Sequence, residues 1–521
     1  MVSPLFTVVT PVYEPPLDVL AEMIESVRSQ EFQDWELVLV DDLSPSDAVR
    51  DILRAAAARD ARIRVVERST NGRIVAASND GVHAARGEFI VLVDHDDLLA
   101  ESALKIVAGA IAVDPDVDYL YSDEDKVDAD GEHYDAFAKP DWSPERLRGQ
   151  MYTGHLSVMR TELVRSVGGF HQGFDGSQDH DLALRVTELA RRVVHIPEIL
   201  YHWRVVPGSA AGDVNAKPYA WEAGRKAVDE HLRRCGIAGH AEFGPLPGYY
   251  RVVRTADPDV LVSVIIPTRG GSGLVWGQRR CFVVEAVRSL IAKAGLERYE
   301  IVVVVDDSTP QAVLTELAQI AGDRLVLVPF SEPFNFSAKC NVGFLASKGD
   351  YIVLLNDDVE AISDRFLEQL VAPLSEPDVG MCGSHLLYSD GTLQHGGLTF
   401  RENHYGHAFL GAPDTDNGPF GALLVSREAS GLTAACVAIR RSTYESVGGL
   451  CEELPGSFND VDLSFKVRAA GYRLVWLVDV KLYHFESRTR DKRVLPWEHE
   501  LVLSRWQTPH RDIYLPGLAP L

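Results

Sequence analysis

The sequence predicts an α/β fold class, arranged as two tandem domains related by internal duplication. Three observations support this prediction. Apolar segments of strand length alternate with helical patterns, acidic residues follow several of the strands, and six segments of the first half return in the same order in the second half. Apolar strands that alternate with helices are typical of parallel sheets that are buried on both faces. Each half is therefore expected to contain a mostly parallel sheet.

The first half shows the alternation most clearly. Its apolar segments predict strands, and its 3.6-residue periodicity predicts helices. In order, these are a strand at residues 5–10, a helix at 17–27, strands at 36–42 and 63–67, a helix at 74–85 and a strand at 87–97. Ligands of such folds bind at the carboxyl ends of the strands. Both acidic clusters of this region fall there, which predicts a binding site at this edge of the sheet.

The second half repeats the first at a nearly constant offset. Asn356 stands where the first half has Asp94, and His484 stands where it has His202. These pairs give offsets of 356 − 94 = 262 and 484 − 202 = 282, a drift that loop insertions explain. Such a long repeat indicates domain duplication rather than a solenoid. A segment rich in Gly and Pro at 240–260 separates the halves. We therefore expect a first domain at residues 1–245, ending in a helical extension, and a second at 246–521 with a basic tail.

Composition limits the function classes. The chain has 521 residues, 51 Lys+Arg, 76 Asp+Glu and a formal charge of −25, and 46% of its residues are hydrophobic. This composition excludes global disorder, and the acidic balance argues against a nucleic-acid partner, which requires a basic face. The N-terminus lacks the features of a signal peptide, no apolar run is long enough for a membrane span, and the six Cys form no C-x-x-C pair. These features predict a cytoplasmic protein.

Acidic clusters are the strongest candidates for chemistry. Asp94-His95-Asp96 follows a strand and places two carboxylates at the edge of the sheet, which suits Mg²⁺ or Mn²⁺ bound to phosphates. A solvated turn before the next helix is the alternative. Asp179 and Asp460 each open a helix in the sequence patterns QDHD and NDVD. One acidic residue would be enough to cap each helix. The acidic order recurs in both halves, however, and this favours a functional role.

These segments resemble the inverting glycosyltransferases of the family 2 type, which have the GT-A fold. The resemblance runs once through each half, from Phe6 to about His202 and from Val262 to about Arg490. It implies a nucleotide pocket near the first two strands of each half. The residues implied for that pocket are Pro11, Tyr13, Glu14, Asp42 and Asn71 in the first half, and Pro267 and Asp307 in the second.

The resemblance also assigns the catalytic roles. Asp94 and Asp96 match the D-x-D motif that holds a divalent metal, Mg²⁺ or Mn²⁺, against the diphosphate. Asp179 matches the general base, and Asp460 matches it in the second half. The sequence position of His202 implies a further metal or diphosphate ligand. The corresponding metal ligands of the second half are Asp358 and His484.

The second half departs from the pattern in two places. Asn356 replaces the first carboxylate of the D-x-D motif, and residues 268–280 form a Gly-rich insertion that we interpret as a flexible substrate loop. The insertion faintly resembles a dinucleotide fingerprint, but its glycine spacing is wrong. Two alternatives stay open at this point. One domain could be a degenerate module that binds glycan or serves as a scaffold, and a sugar nucleotidyltransferase would share the sheet and the metal carboxylates.

The resemblance implies a role in cell-surface polysaccharide synthesis, in which two active domains would make the chain bifunctional. The expected donor is a nucleotide sugar of the UDP or dTDP type, and the expected acceptor is a glycan or a lipid-linked glycan. Peripheral contact with the inner membrane face is suggested by four basic residues near the end of the chain, which a solvated basic tail explains equally well. These residues are Arg488, Arg490, Lys492 and Arg493.

Overall fold

The computed structural model describes residues 3–205, 218–485 and 495–518. The chain divides into two compact units. The first comprises the residues up to 236 together with 240–251, and the second comprises 237–239 together with the residues from 252 onward. The predicted boundary at 245/246 lies inside the segment where the two units interleave. The predicted α/β fold class is confirmed, because each unit contains one large sheet together with helices.

The sheet of the first domain has the strand order β3-β2-β1-β4-β8-β6-β9-β5, and β7 pairs with β6. The strands from β3 to β4 run parallel, and β8 is antiparallel to both of its neighbours. The strands are β1 (Phe6–Val12), β2 (Trp35–Asp41), β3 (Ile63–Glu67), β4 (Phe89–Leu92), β5 (Leu98–Leu99), β6 (Tyr119–Val127), β7 (His133–Phe137), β8 (Ser157–Arg160) and β9 (Val193–Arg204). A separate pair follows, β10 (Gly239–Phe243) and β11 (Tyr250–Arg254).

Helices cover the sheet of the first domain and bury its apolar strands. Nearly every residue of β1 and β2 is buried, as expected for central parallel strands. The helices are α1 (Leu17–Arg28), α2 (Asp47–Arg59), α3 (Arg73–Ala84), α4 (Ala103–Val113), α5 (Pro144–Gly149), α6 (Thr161–Ser166), α7 (Gln178–Thr187) and α8 (Pro218–Arg234). Gly81 of α3 lies so close to β1 that a Cβ there would stand 2.3 Å from Val9, so only glycine permits this packing.

The second domain repeats this sheet, with the strand order β16-β15-β12-β17-β24-β19-β25-β18. Its strands are β12 (Val262–Thr268), β13 (Ser272–Val275), β14 (Gln278–Cys281), β15 (Tyr299–Asp306), β16 (Leu325–Phe330), β17 (Tyr351–Leu355), β18 (Val359–Ala361), β19 (Val379–Leu387), β20 (Leu393–His395), β21 (Leu398–Arg401), β22 (His404–His407), β23 (Arg427–Glu428), β24 (Cys436–Arg440) and β25 (Arg473–His484). Its helices are α9 (Phe282–Lys293), α10 (Gln311–Ala321), α11 (Phe336–Ala346), α12 (Phe366–Val371), α13 (Arg441–Ser446), α14 (Asn459–Ala469) and α15 (Pro496–Arg505).

The Gly-rich insertion of the second domain has regular secondary structure, whereas we expected a flexible substrate loop. It forms the antiparallel hairpin β13–β14. Trp276 at its tip donates a hydrogen bond from Nε1 to the carbonyl of Ser389 at 2.9 Å, and its ring packs edge-on against Tyr483 and Phe485. The aromatic tip thus holds the hairpin beside the end of β25. The Gly-rich segment therefore needs no interpretation as a dinucleotide-binding loop.

A second insertion distinguishes the two domains. Phe89 pairs with Arg160 in the first domain, and Tyr351 pairs with Arg440 in the second. The offset between these residues rises from 351 − 89 = 262 to 440 − 160 = 280, so the second domain gains eighteen residues in this interval. They belong to the region of β20 to β23.

Within the described ranges, no helix is both long and apolar enough to cross a bilayer.

Candidate functional site

The ends of β1 and β2 meet in the first domain, and predicted nucleotide-binding residues cluster there. Asp42 follows β2 and is buried. Its carboxylate accepts a hydrogen bond from the backbone N–H of Gly72 at 2.9 Å and pairs with the guanidinium of Arg68. The side-chain amide of Asn71 donates to the carbonyl of Asp42 at 2.9 Å. The structure therefore brings Asp42 and Asn71 together at one end of the sheet.

The segment at the end of β1 supplies the other predicted nucleotide contacts. The carbonyl of Pro11 lies 3.2 Å from Nδ1 of His95, which links β1 to the acidic run after β4. The carboxylate of Glu14 accepts a hydrogen bond from the backbone N–H of Ser46 at 2.8 Å. Tyr13 is half exposed. Glu14 thus shapes the loop, whereas the ring of Tyr13 faces solvent and can contact a ligand.

The acidic run after β4 contains a buried carboxylate that the sequence analysis did not select. Asp97 is 1% exposed. It accepts a hydrogen bond from the hydroxyl of Tyr201 at 2.5 Å and another from the backbone N–H of Arg204 at 2.8 Å. Burial, reinforced by the charge of Asp94, raises the pKa of Asp97 to about 8. A carboxyl group with a raised pKa next to other acids is typical of a functional site.

The predicted metal ligands of the first domain divide between two clusters. Ligand atoms of Asp94 lie within 4.8 Å of those of Asp97 and His155. The predicted ligand His202 belongs instead to a group with Asp125 and His133, and its Nδ1 lies 2.6 Å from a carboxylate oxygen of Asp125. That bond leaves Nε2 of His202 for another partner.

Asp96, the second carboxylate of the D-x-D motif, belongs to neither of these clusters. Its backbone carbonyl accepts a hydrogen bond from the guanidinium of Arg204 at 3.0 Å, and burial raises the pKa of its carboxyl group. The metal-binding roles of Asp96 and His202 stay predictions.

Asp179 lies in the first turn of α7, where the sequence predicts the general base. Its carboxylate accepts a hydrogen bond from the side-chain amide of Gln178 at 2.7 Å. Asp179 is exposed. Partial desolvation of its carboxyl group, together with the charge of Asp94, raises the pKa of Asp179 to about 6. The structure therefore places Asp179 within electrostatic reach of the acidic run, and its pKa suits a base that works near neutral pH.

Four of the five site residues predicted for the second domain line a cavity of about 360 Å³, and Asp307 does not. Pro267, Asp358, Asp460 and His484 all line this cavity. Part of its wall comes from the segment between β19 and β24, which is longer in the second domain, namely from Tyr388, Gln394, Leu398, Tyr405 and His407. The structure therefore brings the predicted metal ligands, the predicted base and one predicted nucleotide contact into one pocket.

The acidic run of this cavity is organised around His484. Nε2 of His484 lies 3.2 Å from Oδ1 of Asp358 and 3.2 Å from the amide nitrogen of Asn356. Nδ1 lies 2.7 Å from the side-chain oxygen of Gln394, which fixes the orientation of the ring. Asp357 is also buried, and burial together with the charge of Asp358 raises its pKa to about 7. His484 thus contacts both Asp358 and Asn356.

The pairing of strands shows that one sequence match between the two halves, that of Asp42 with Asp307, is shifted by one residue. Trp35 pairs with the first residue of β1, and Tyr299 pairs with the first residue of β12, so these two residues are equivalent. Counting on from them, the equivalent of Asp42 is Asp306 and not Asp307. Asp307 is exposed and accepts a hydrogen bond from the hydroxyl of Ser331 at 3.0 Å. An extra valine before the acidic pair caused the mismatch, and a nucleotide-binding role for Asp307 stays a prediction.

Asp306 has a buried cationic partner. The ammonium group of Lys339 pairs with Asp306 and donates a hydrogen bond to the carbonyl of Thr268 at 3.2 Å. Lys339 is 3% exposed and lines the cavity. In the first domain the equivalent carboxylate, Asp42, pairs with Arg68, which comes from the end of β3 rather than from a helix. The two domains therefore neutralise the same carboxylate from different directions.

Asp460 lies in the first turn of α14, directly after a loop that helix α15 supports. The buried carboxylate of Glu498 accepts hydrogen bonds from the backbone N–H groups of Gly456 and Ser457, at 3.0 and 2.9 Å. Phe458, which caps α14, has a left-handed backbone with φ of 58°. Asp460 follows two residues later. The loop before the predicted base is thus held by a side chain that lies 41 and 42 residues away from its two donors in sequence.

A divalent cation fits both acidic runs. Carboxylate oxygens with one imidazole nitrogen are suitable ligands for Mn²⁺ and similar ions. In the second domain, Oδ1 of Asn356 is buried and has no hydrogen-bond partner among the described residues. A buried polar atom without a partner is costly, and a cation would satisfy it. Asn356, Asp358 and His484 would hold the ion there, and Asp94 with its neighbours would hold it in the first domain.

Sequence reasoning missed Asp97, His155, Lys339 and Glu498. Asp97 had a readable signal, because it directly follows the D-x-D motif. Lys339 and Glu498 had none, since a single lysine or glutamate in a helical pattern is usually solvated. His155 lies in a segment that matched the second half only through its neighbours, and the equivalent position there is Ala435, as the register of β8 and β24 shows.

The sequence profile described as "Glycosyl transferase family 2" matches the chain twice, at residues 7–168 and 263–447. Among curated proteins, the uncharacterized protein y4gI of Sinorhizobium fredii is 41% identical over 99% of this chain and 58% of its own length. The O-antigen biosynthesis protein RfbC of Myxococcus xanthus is 36% identical over 98% of this chain and 40% of its own length. The chain thus spans about half the length of these relatives.

Among solved structures, S. aureus TarS 1-349 in complex with UDP-GlcNAc matches with 20% sequence identity and a TM-score of 0.37. The match covers 44% of this chain and 66% of the TarS chain.

Proposed function

The chain belongs to glycosyl transferase family 2 and is a glycosyltransferase, and from that premise we propose that each domain carries its own transfer site. In this proposal, each site moves a sugar from a nucleotide-sugar donor to a glycan or lipid-linked glycan. The observation that carries it is the same in both domains: one helix presents an aspartate, Asp179 or Asp460, next to an acidic strand end at the carboxyl edge of a sheet. Membership of glycosyl transferase family 2 argues against the alternative that the chain is a sugar nucleotidyltransferase.

The aspartate that opens the helix acts as the general base. Asp179 in the first domain and Asp460 in the second accept the proton of the acceptor hydroxyl as its oxygen bonds to the anomeric carbon. The bond between that carbon and the diphosphate oxygen breaks, and the nucleoside diphosphate leaves with the electron pair. Attack on the face opposite the leaving group inverts the anomeric configuration. The pKa of Asp179, about 6, keeps this carboxylate largely ionised at neutral pH.

The acidic strand ends would hold a divalent cation, Mg²⁺ or Mn²⁺, which would neutralise the charge that develops on the leaving group. A chain with a net charge of −25 needs such a cation, because its own field repels a sugar nucleotide. Asp94 serves the first domain, and Asp358 and His484 serve the second. The resemblance adds Asp96 and His202 in the first domain.

The nucleoside lies at the ends of the first two strands of each sheet. In the first domain the carboxylate of Asp42, held by Gly72 and Arg68, and the exposed ring of Tyr13 face this region. In the second domain Pro267 lines the cavity, and Asp306 is the structural equivalent of Asp42. A UDP- or dTDP-type donor is proposed from the resemblance.

We further propose that the products belong to cell-surface polysaccharide, as the name of the relative from Myxococcus xanthus suggests. The reaction would then take place on the cytoplasmic side, with peripheral contact to the membrane. The basic residues that motivated this contact, Arg488 to Arg493, lie outside the described residues.

A panel of nucleotide sugars tests the proposal. The full chain is incubated with each donor and with lipid-linked acceptors, with and without Mn²⁺, and release of nucleoside diphosphate is measured. We expect release that depends on the metal and on the acceptor for at least one donor. If no donor of the panel gives release of nucleoside diphosphate, the proposal is contradicted.

One alternative has specific support. The amide of Asn356 replaces a carboxylate, which weakens cation binding and favours a second domain that only binds glycan. The cavity that contains Asp460, Asp358 and His484 argues for catalysis instead. Loss of one product linkage in Asp460→Asn would establish the catalytic role.

A further inference from the structure

We propose that the β21–β22 hairpin forms an acceptor subsite of the second domain, which binds a hexopyranose ring of a glycan through the hydroxyl group of Tyr405. The inference rests on the proposed function, since it names the part of the cavity that takes the acceptor and the chemical class of that acceptor. It assigns a role to the segment between β19 and β24, which is longer than the segment between β6 and β8 in the first domain.

The cavity of the second domain extends across several strands of the sheet. Pro267 lies on β12, Asp358 follows β17, and Leu386 lies on β19, and all three line the cavity. In the sheet, β17 and β24 separate β12 from β19, and since neighbouring strands are about 4.8 Å apart, β19 lies about 14 Å from β12. We have proposed the nucleoside at the ends of β12 and β15. The part of the cavity near β19, beyond the acidic run, is therefore left for the acceptor.

The predicted base lies on this same side. Helix α14, which carries Asp460 in its first turn, packs against β19 and β25. Tyr405 of β22 lines the cavity, and its ring packs edge-on against Phe458 with centroids 5.8 Å apart. Phe458 caps α14 and precedes Asp460 by two residues. A sugar bound against Tyr405 would thus share one cavity with the carboxylate that accepts the proton of the acceptor hydroxyl.

The hydroxyl oxygen of Tyr405 is buried and has no hydrogen-bond partner among the described residues. A buried phenolic hydroxyl normally finds a partner, and leaving one without a partner is costly. Burial raises the pKa of Tyr405 to about 12, so the hydroxyl stays protonated at neutral pH and can donate a hydrogen bond. The hydroxyl group of a bound sugar would supply the missing acceptor.

The walls around Tyr405 suit a sugar ring. Leu398 and Leu410 give the cavity apolar surface, and Gln394 and His407 give it polar side chains. A hexopyranose has the same two characters, because it has an apolar C–H face and hydroxyl groups around its edge, and ligand pockets commonly combine apolar walls with a few placed polar groups. The hydrocarbon of a lipid carrier would leave the Tyr405 hydroxyl without a partner. We therefore assign the subsite to the sugar and not to the lipid of the acceptor.

The hairpin is held in place by residues outside it. The buried carboxylate of Asp512 accepts a hydrogen bond from the backbone N–H of Phe400 at 2.8 Å. Nδ1 of the buried His395 lies 2.8 Å from Nδ1 of His407 and so orients that ring. A wall held in this way loses little freedom when a ligand binds. In the first domain the corresponding interval contains the strand β7, whose first four residues are exposed, so we expect the two domains to bind different acceptors.

Methyl glycopyranosides are the probes that test the subsite without catalysis. The full chain is titrated with the methyl glycosides of glucose, galactose, mannose and rhamnose, and binding is followed by saturation-transfer difference NMR. Tyr405→Phe removes only the hydroxyl group, so the dissociation constant of at least one glycoside should rise about 3- to 10-fold, the effect of one neutral hydrogen bond. Tyr472→Phe is the matched control and should change no affinity, because Tyr472 precedes β25 at the end opposite His484.

Thermal unfolding distinguishes a ligand contact from a structural one. Because the hydroxyl has no partner in the protein, Tyr405→Phe should leave the unfolding temperature of the ligand-free chain unchanged or raise it. A fall in that temperature would show that the hydroxyl stabilises the fold, and the proposal would be overturned.

Two binding results would also overturn the proposal. One is that no glycoside binds more weakly to Tyr405→Phe than to the wild-type chain. The other is weaker binding of UDP by Tyr405→Phe, which would place the donor and not the acceptor against Tyr405. If the expected binding results are obtained but the chain transfers no sugar, the proposed function is contradicted and the assignment of the subsite is not.

Discussion

Replacing Glu498 with leucine removes the acceptor that holds the loop before Asp460. Its carboxylate receives two backbone N–H groups, at 3.0 and 2.9 Å, and Glu498 is 1% exposed. Hydrogen bonds to a charged group contribute about 1.5–3 kcal/mol each. Because Gly456 and Ser457 are half-buried and water can replace part of the loss, we expect a cost of about 2–4 kcal/mol for the pair.

The catalytic effect should exceed the effect on stability. Displacement of a catalytic group by about 1 Å costs on the order of 100-fold in rate, so Glu498→Leu should lower kcat of the second domain by about that factor with little change in KM for the donor. Transfer by the first domain should not change. Calorimetric unfolding and linkage-resolved product analysis measure the two effects.

Glu500→Gln on the same helix is the matched control, because Glu500 is exposed. Glu498→Gln retains an acceptor oxygen and should recover most of the activity. Unchanged second-domain turnover in Glu498→Leu, in a protein that folds, would refute the reasoning that α15 positions Asp460.

Three further predictions concern charge. First-domain turnover should fall as the pH is lowered through about 6, since protonation removes the base Asp179, and a bound cation that offsets the charge of Asp94 should move this inflection lower; a rate profile in Mn²⁺ measures it. Asp358→Asn should cost the second domain more Mn²⁺-dependent activity than Asp94→Asn costs the first, because Asn356 already contributes no charge; titration of each variant with Mn²⁺ compares them. Lys339→Met should destabilise the chain by about 3 kcal/mol, because it leaves Asp306 without its buried partner, and thermal unfolding tests it.

Strand placement could be predicted from the sequence because buried parallel strands are apolar throughout. The segments around Val8, Leu39 and Val91 read directly as strands, and the acidic residues that follow them mark the carboxyl edge of the sheet. The helices that begin near Asp179 and Asp460 were equally readable, since acidic residues precede a regular apolar spacing.

The insertions and the supporting residues could not be predicted. The hairpin tipped by Trp276 depends on contacts with Tyr483 and Ser389, which lie more than one hundred residues away. Local sequence pattern carries no information about such contacts. Matching letters also misled at Asp307, because one extra valine shifts the acidic pair against the register, and only the pairing of strands reveals Asp306 as the equivalent of Asp42.

His155 illustrates a further limit. The sequence places it in a segment without metal-binding spacing, and its position depends on Tyr201, Glu124 and Lys139, which come from other strands and loops. A histidine alone is more often structural than functional. Only the three-dimensional arrangement shows that His155, and not His202, lies beside Asp94 and Asp97.

Two single substitutions test the central claim that each domain is a separate glycosyltransferase. Asp179→Asn and Asp460→Asn each remove one general base and should lower one transfer by about 10²–10⁴-fold, while nucleotide-sugar binding survives. Product linkages are determined for the full chain carrying either substitution. The account predicts that Asp179→Asn abolishes one linkage and Asp460→Asn abolishes the other. If Asp460→Asn leaves every linkage at its original rate, the second domain is not a catalyst and the claim is contradicted.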